Sequence, residues 1–231
     1  MTAGEQVKYD TCVLSVDPSG RGADETAVAA VASYGGQLMV LECVGLKGGY
    51  DPPVLEEIVK IAKRNKARLI LCEANLGGGM FSSLLKPYLS KSYRCPIEEV
   101  THSTQKEKRI CDVLEPLLNQ HSLILNRSVV LKDAESVQDR SQDTQRQYQL
   151  LWQLSRIQRL RGALRHDDRL DALAMACQYF VDHVAKDTDR EMRLRKSDAH
   201  EALLREYIET GPSKVILGRK PVEMGWIGAR P

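Results

Sequence analysis

Three apolar runs of strand length follow one another in the first 46 residues with no helical period between them: TCVLSVD (11–17), TAVAAVAS (26–33) and QLMVLECVGL (37–46). The last two are joined through YGGQ, whose Gly-Gly pair is a hairpin signal. Such a start predicts an antiparallel meander of three strands, and any fold for this chain has to be built outward from it.

The period then changes. In DPPVLEEIVKIAKRNKA (51–67), Val54, Leu55, Ile58, Val59, Ile61 and Ala62 recur at helical spacing behind an Asp-Pro-Pro start. RLILCEA reads as a short apolar strand ending at Glu73, and NLGGG as a loop. MFSSLLKPYLSKS reads as a helix interrupted or kinked by Pro87. IEEVT is a short strand, TQKEKRICDVLEPLLNQH a helix and SLILN another strand. A Gln- and Arg-rich helix is expected over 142–160, and a long helix from near His166. The order β-β-β-α-β-α-β-α-β-α-α predicts an α/β fold. Its mixed sheet has three antiparallel strands, then alternating helices and parallel strands, with helices on both faces.

From Lys186 to Thr210 charges alternate, as in a solvated helical extension, and 211–231 reads as a basic tail carrying Trp226. The expected division is a domain over 1–185 and an extension with tail over 186–231. Six cysteines show no C-x-x-C spacing, which favours free buried thiols in a reducing compartment over a zinc or disulfide framework. No apolar run reaches the roughly 18 residues of a membrane span, and the N-terminus lacks a signal-peptide pattern, so a soluble intracellular protein is expected. Aromatics make up 5%, too few for large base-stacking platforms. A net charge of +2 means that any nucleic-acid affinity has to come from local clusters.

The carboxylates share an unusual setting. Asp17 ends the first strand, Glu73 ends the fourth, and HDDRLDALAMA opens a helix with Asp167, Asp168 and Asp171. The aspartates have ordinary explanations: a turn for Asp17, dipole complements for Asp167 and Asp168, a polar helix face for Asp171; Glu73, at the end of Leu-Ile-Leu-Cys, has no turn role and invites burial. Gathered at one rim of a sheet, they would repel one another unless a divalent cation sat among them. Mg²⁺ suits such an all-oxygen site, and two ions about 4 Å apart can drive phosphodiester hydrolysis.

VDPSGRGADETAVAAV, LCEANLGGGMF, KEKRICDVLEPLL and HDDRLDALAMA, in that order over about residues 10–185, together resemble the nuclease domain of tailed-phage terminase large subunits, the short-tailed phage type in particular. The resemblance implies a ribonuclease H-like fold and a virus-encoded endonuclease that cuts concatemeric double-stranded DNA in the host cytoplasm with Mg²⁺ or Mn²⁺, in two-metal fashion. It implies Asp17 and Glu73 as catalytic metal ligands and the HDD segment as the source of a helical one. Asp168 is favoured for that place with Asp171 as second candidate, although Asp167 and Asp171 lie nearer the apolar helix face. It implies as partners a packaging ATPase domain, the portal or procapsid, and the small terminase subunit. The ATPase phosphate loop G-x-x-x-x-G-K-[ST] is absent from this sequence, and NLGGGMFSS lacks its lysine.

Phosphate contacts need Lys and Arg. Lys106, Lys108 and Arg109 open a helix, and Arg156, Arg159, Arg161 and Arg165 lead into the acidic segment. Lys106, Arg109, Arg161 and Arg165 are the chosen DNA-binding candidates. Lys63, Arg64, Lys66 and Arg68 form a third cluster that reads better as a solvated face, and His166 adjoins the acidic pair. No base-reading motif appears. Two other readings compete: a Holliday-junction resolvase or related ribonuclease H-like nuclease, and a portal-docking module with weak cutting.

Overall fold

The computed structural model describes residues 9–20, 24–74, 79–183, 201 and 205. The remainder of the glycine-rich loop, the charged extension and the basic tail lie outside the described residues. The chain divides into units 1–181 and 182–231, and the sheet with its helices belongs to the first.

The meander forms as its pattern requires. β1 (Thr11–Asp17) pairs antiparallel with β2 (Thr26–Tyr34), and β2 turns at Gly35–Gly36 into antiparallel β3 (Gln37–Leu46). β4 (Leu69–Glu73) adds parallel to β1, β5 (Ile97–Val100) parallel to β4, and β6 (Leu123–Leu125) parallel to β3. The six-stranded order is β5-β4-β1-β2-β3-β6, so β1 is central and buried on both faces.

Alternate residues of each strand face opposite layers. Cys12, Leu14, Val16, Val28, Ala30, Ile70 and Cys72 meet helix α1 (Pro52–Arg64) and helix α2 (Met80–Ser92). Val13, Ala27, Ala29, Val31 and Leu71 meet α3 (Lys106–Asn119), α4 (Arg127–Glu135), α6 (Leu150–Arg156) and α7, the helix described over 168–183. α2 runs on across Pro87, which faces solvent, so the carbonyl freed by the missing N–H can be hydrated. All six cysteines are free and five are buried, and burial pushes the Cys12 thiol up to about 12. No helix among the described residues is long and apolar enough to cross a membrane.

Two expectations are corrected. The helix expected over 142–160 is α5 (Gln142–Gln145), a 3₁₀ turn at Arg146–Tyr148, and α6. Gln149 is extended, and α6 starts anew because the Asp133 carboxylate accepts from Leu150 N–H at 2.8 Å and Leu151 N–H at 3.0 Å. α4 was not anticipated; it buries only Val129 and Asp133, so its sequence has little helical apolar period.

α7 is held on the sheet by polar groups inside the apolar layer. Arg169 is fully buried, and its Nε donates to Glu25 Oε1 at 2.6 Å while one terminal nitrogen donates to Ser136 Oγ at 2.7 Å. Arg140 donates to the other Glu25 oxygen at 2.6 Å. Gln153 Oε1 accepts from Leu170 N–H at 3.1 Å. β3 makes room for the Glu25 carboxylate with Gly45, where a Cβ would lie 1.9 Å from the carboxyl carbon. Removing one partner strands a buried charge, so Arg169→Met should cost about 3–5 kcal/mol in chemical denaturation. Gly45→Ala should also destabilise, by displacing Glu25.

Candidate metal centre

β1 and β4 run parallel with Val16 opposite Cys72, so one residue further on Asp17 comes to lie beside Glu73. Both follow the phase of Val13 and Leu71 and face the α7 layer. α7 crosses that face close to β1, where Ser15 Oγ lies 2.5 Å from Ala172 O. Small residues at 172, 174 and 176, all fully buried, permit the approach. Asp171 therefore points at the two strand ends, and one oxygen each of Asp17, Glu73 and Asp171 lie within 4.8 Å of one another. Asp171 is 2% exposed and Glu73 7%, so the charges have little water to share.

Two cations from the start of α3 oppose that charge. Lys106 Nζ lies 2.8 Å from Asp167, 3.1 Å from Asp171 and 3.7 Å from Asp17. Arg109 donates to Asp171 Oδ1 at 2.5 Å. Burial pushes the Asp17 carboxyl well above its usual range; Lys106 opposes the shift, and Asp171 and Glu73 add to it. Burial works against the Lys106 ammonium, but Asp171, Asp17 and Asp167 outweigh it and hold the charge firmly. Four carboxylates against two cations leave a formal charge of −2. All three converging ligand atoms are oxygen, the donor set of a hard divalent ion.

A second cluster lies nearby. Asp24, His166 and Asp168 also place ligand atoms within 4.8 Å, with His166 Nδ1 3.4 Å from Asp24. The His166 ring stacks on Tyr148 at 4.0 Å, and the Arg140 guanidinium lies 3.3 Å from the centre of the Tyr148 ring. Burial pushes the Asp168 carboxyl up to about 7; Lys106 counters this, while Asp167, Asp24 and Glu25 reinforce it.

The structure thus sorts the acidic candidates. Asp17, Glu73 and Asp171 converge, Asp167 holds Lys106, and Asp168 stands with Asp24 and His166. Of the basic candidates, Lys106 and Arg109 turn inward onto the carboxylates, while Lys108, Arg156, Arg161 and Arg165 are exposed. Arg159 pairs with Asp112 and Glu115, and Arg64 with Glu42 and Glu57. Lys66 and Arg68 line a cleft of about 900 Å³ beside Thr11, at the opposite end of β1 from Asp17. The sequence reading missed Arg169 and Glu25, which set the position of α7. The available signal was an arginine at the head of an otherwise Leu- and Ala-rich helix, between Asp168 and Leu170.

Residues 16–123 match the family model of the bacteriophage T7 terminase ribonuclease H-like domain. The large terminase subunit of Enterobacteria phage T3 is 34% identical over 202 residues, covering 87% of this chain and 34% of that protein. The chain thus spans about a third of that relative's length. The human cytomegalovirus terminase nuclease domain, in a Mn-soaked structure, superposes with a TM-score of 0.52 at 15% identity, covering 73% of this chain and 81% of that one. An inhibitor-bound, Mn-soaked structure of the same domain gives 0.51 at 14%, covering 73% and 82%. At these identities the likeness to solved structures shows the fold alone, and the matching family model describes that fold as ribonuclease H-like.

Asp168 yields a pH prediction. The folded chain keeps a proton on this carboxyl up to about pH 7, whereas the unfolded chain releases it near the ordinary aspartate value. This contribution is complete at low pH and is lost as pH rises through about 7. Asp168→Asn lacks that loss. In chelator, its stability relative to wild type should be lowest near pH 4 and climb to a plateau above pH 8, read from denaturation midpoints.

Proposed function

This chain carries the ribonuclease H-like nuclease domain of a phage terminase large subunit, and from that premise we propose that it is a divalent-metal-dependent endonuclease cutting concatemeric double-stranded DNA during genome packaging. The convergence of the Asp17, Glu73 and Asp171 oxygens is the observation that carries the proposal. Mg²⁺ or Mn²⁺ fits an all-oxygen donor set of this charge. When bound, such ions activate water and stabilise the oxygens entering and leaving phosphorus. One divalent ion would cancel the residual −2, and the phosphate of bound DNA would bring negative charge to balance a second.

The chain's own residues do the rest. Asp17 and Glu73 carry their carboxylates at the ends of two hydrogen-bonded strands, whose pairing fixes the spacing of their backbones. Arg109 fixes the Asp171 carboxylate from behind, leaving its other oxygen toward Lys106. Lys106 keeps the carboxylates together and presents a cation where a phosphate would arrive. Exposed Lys108, Arg161 and Arg165 supply backbone contacts without reading bases.

Residues 1–185 form the nuclease, and 186–231 an extension and tail suited to contact other packaging components. A packaging ATPase domain, the portal or procapsid and the small subunit are the partners, with the host cytoplasm as the place of action.

The test is cutting of supercoiled plasmid by the purified chain in Mg²⁺, Mn²⁺ or chelator. Cutting is expected only with metal. It should fall more than about 100-fold in Asp17→Asn and in Asp171→Asn, beyond the loss caused by removing an outer-shell partner. Equal cutting in chelator, or by folded Asp17→Asn, would contradict the proposal.

A further inference from the structure

Both oxygens of Asp171 face cations of the protein itself. Arg109 donates to Oδ1 at 2.5 Å, and the Lys106 ammonium lies 3.1 Å from Oδ2. The same ammonium is 3.7 Å from Asp17 and 2.8 Å from Asp167. It stands among the oxygens that a divalent ion would take, so an ion held by Asp17 and Asp171 has to contend with it.

The two cations are not equally fixed. The Arg109 side chain is 8% exposed and lies one turn into α3, whereas that of Lys106 is 36% exposed. Lys106 is the first residue of α3, at the end where the helix dipole opposes a cation, and its charge rides on a flexible stem. Burial also works against the charge, and the carboxylates are what hold it in place. Lys106 is therefore the cation that can yield.

Its hold on Asp171 is incomplete as well. Asp171 Oδ2 is buried and accepts no hydrogen bond from any described residue, so the most buried carboxylate of the centre keeps one oxygen short of the partner its burial demands. The shortest of the three contacts of the ammonium is instead to Asp167, which is not one of the three converging ligands. A divalent ion, with twice the charge and closer oxygen distances, outcompetes an ammonium for Asp17 and Asp171. Asp167 is what then remains for the ammonium to hold.

We propose that Lys106 is a displaceable cation, which gives way to the first divalent ion at Asp17 and Asp171 and is retained on Asp167. This rests on the reading of the carboxylate centre as a metal site, and adds to it how entry of the metal is regulated. The first ion binds less tightly than the carboxylates alone would hold it, because it has to displace an ammonium. The exchange moves Lys106 toward the more exposed Asp167, where the phosphate of DNA can meet it.

The experiment is titration of Mn²⁺ into the full chain without DNA, in wild type, Lys106→Met, Asp167→Asn and the double variant. Methionine keeps much of the stem and removes the charge. Lys106→Met should bind the first ion about 10-fold tighter or more, and Asp167→Asn should bind it more weakly. The loss in Asp167→Asn should largely vanish in the Lys106→Met background, since no ammonium is then left to relocate. A second measurement needs no variant: acylation of Lys106 in wild type, read by peptide mass analysis against exposed Lys108, should be faster with Mg²⁺ than in chelator. If wild type binds Mn²⁺ but Lys106→Met binds it no more tightly, or Mg²⁺ leaves the relative acylation of Lys106 unchanged, displacement is overturned and the metal centre stands. If wild type binds no Mn²⁺, both fall.

Discussion

Everything at the centre of this molecule follows from the cost of placing several carboxylates together away from water. Asp17 and Glu73 are brought side by side by backbone pairing, and Asp171 is added from above by a helix. Left alone, such a group would hold protons or push apart. Burial already raises Asp17, and its acidic neighbours raise it further. The fold answers with Lys106 and Arg109 on a third element, so α3 is as much part of the centre as the strands are. The balance still leaves an excess of negative charge, and that excess makes the site receptive to a divalent cation.

The position of α7 is the second requirement. Arg169 enters the apolar layer to meet Glu25, Gln153 takes the Leu170 N–H, and Ser15 meets the Ala172 carbonyl. These three contacts, made by β1, the residue preceding β2, and α6, fix the rotation and depth of the helix. Asp171 then lands over the strand ends, while Asp168, one turn earlier, is left to Asp24 and His166. The buried polar groups around Arg169 therefore act at a distance on the carboxylate centre by holding the helix that bears one of its members.

Much of the sheet was legible because its signals are local. The Gly-Gly hairpin, the switch from strand to helical period at Pro52, and the apolar run ending at Glu73 each declare themselves within a few residues. The side-by-side placement of Asp17 and Glu73 was foreseeable because both end strands of a mixed sheet. What was hidden depends on distant partners. The break before α6 is imposed by Asp133, and α4 has almost no apolar face to announce it. The resemblance favoured Asp168 over Asp171, whereas Asp171 joins Asp17 and Glu73 in the fold, because which acidic residue lands there depends on how Arg169 seats the helix. Basic residues opening α3 look the same in sequence whether they face DNA or the protein's own carboxylates, and Lys106 and Arg109 face the carboxylates.

The three converging carboxylates of Asp17, Glu73 and Asp171 are proposed as the metal centre in preference to the Asp168 cluster. Calorimetric titration of Mn²⁺ into the metal-free chain, without DNA, tests this assignment directly in wild type, Asp171→Asn and Asp168→Asn. Asp168→Asn should titrate as wild type does, while Asp171→Asn should lose the tight binding event. Unchanged binding in folded Asp171→Asn, with loss in Asp168→Asn, would contradict the assignment.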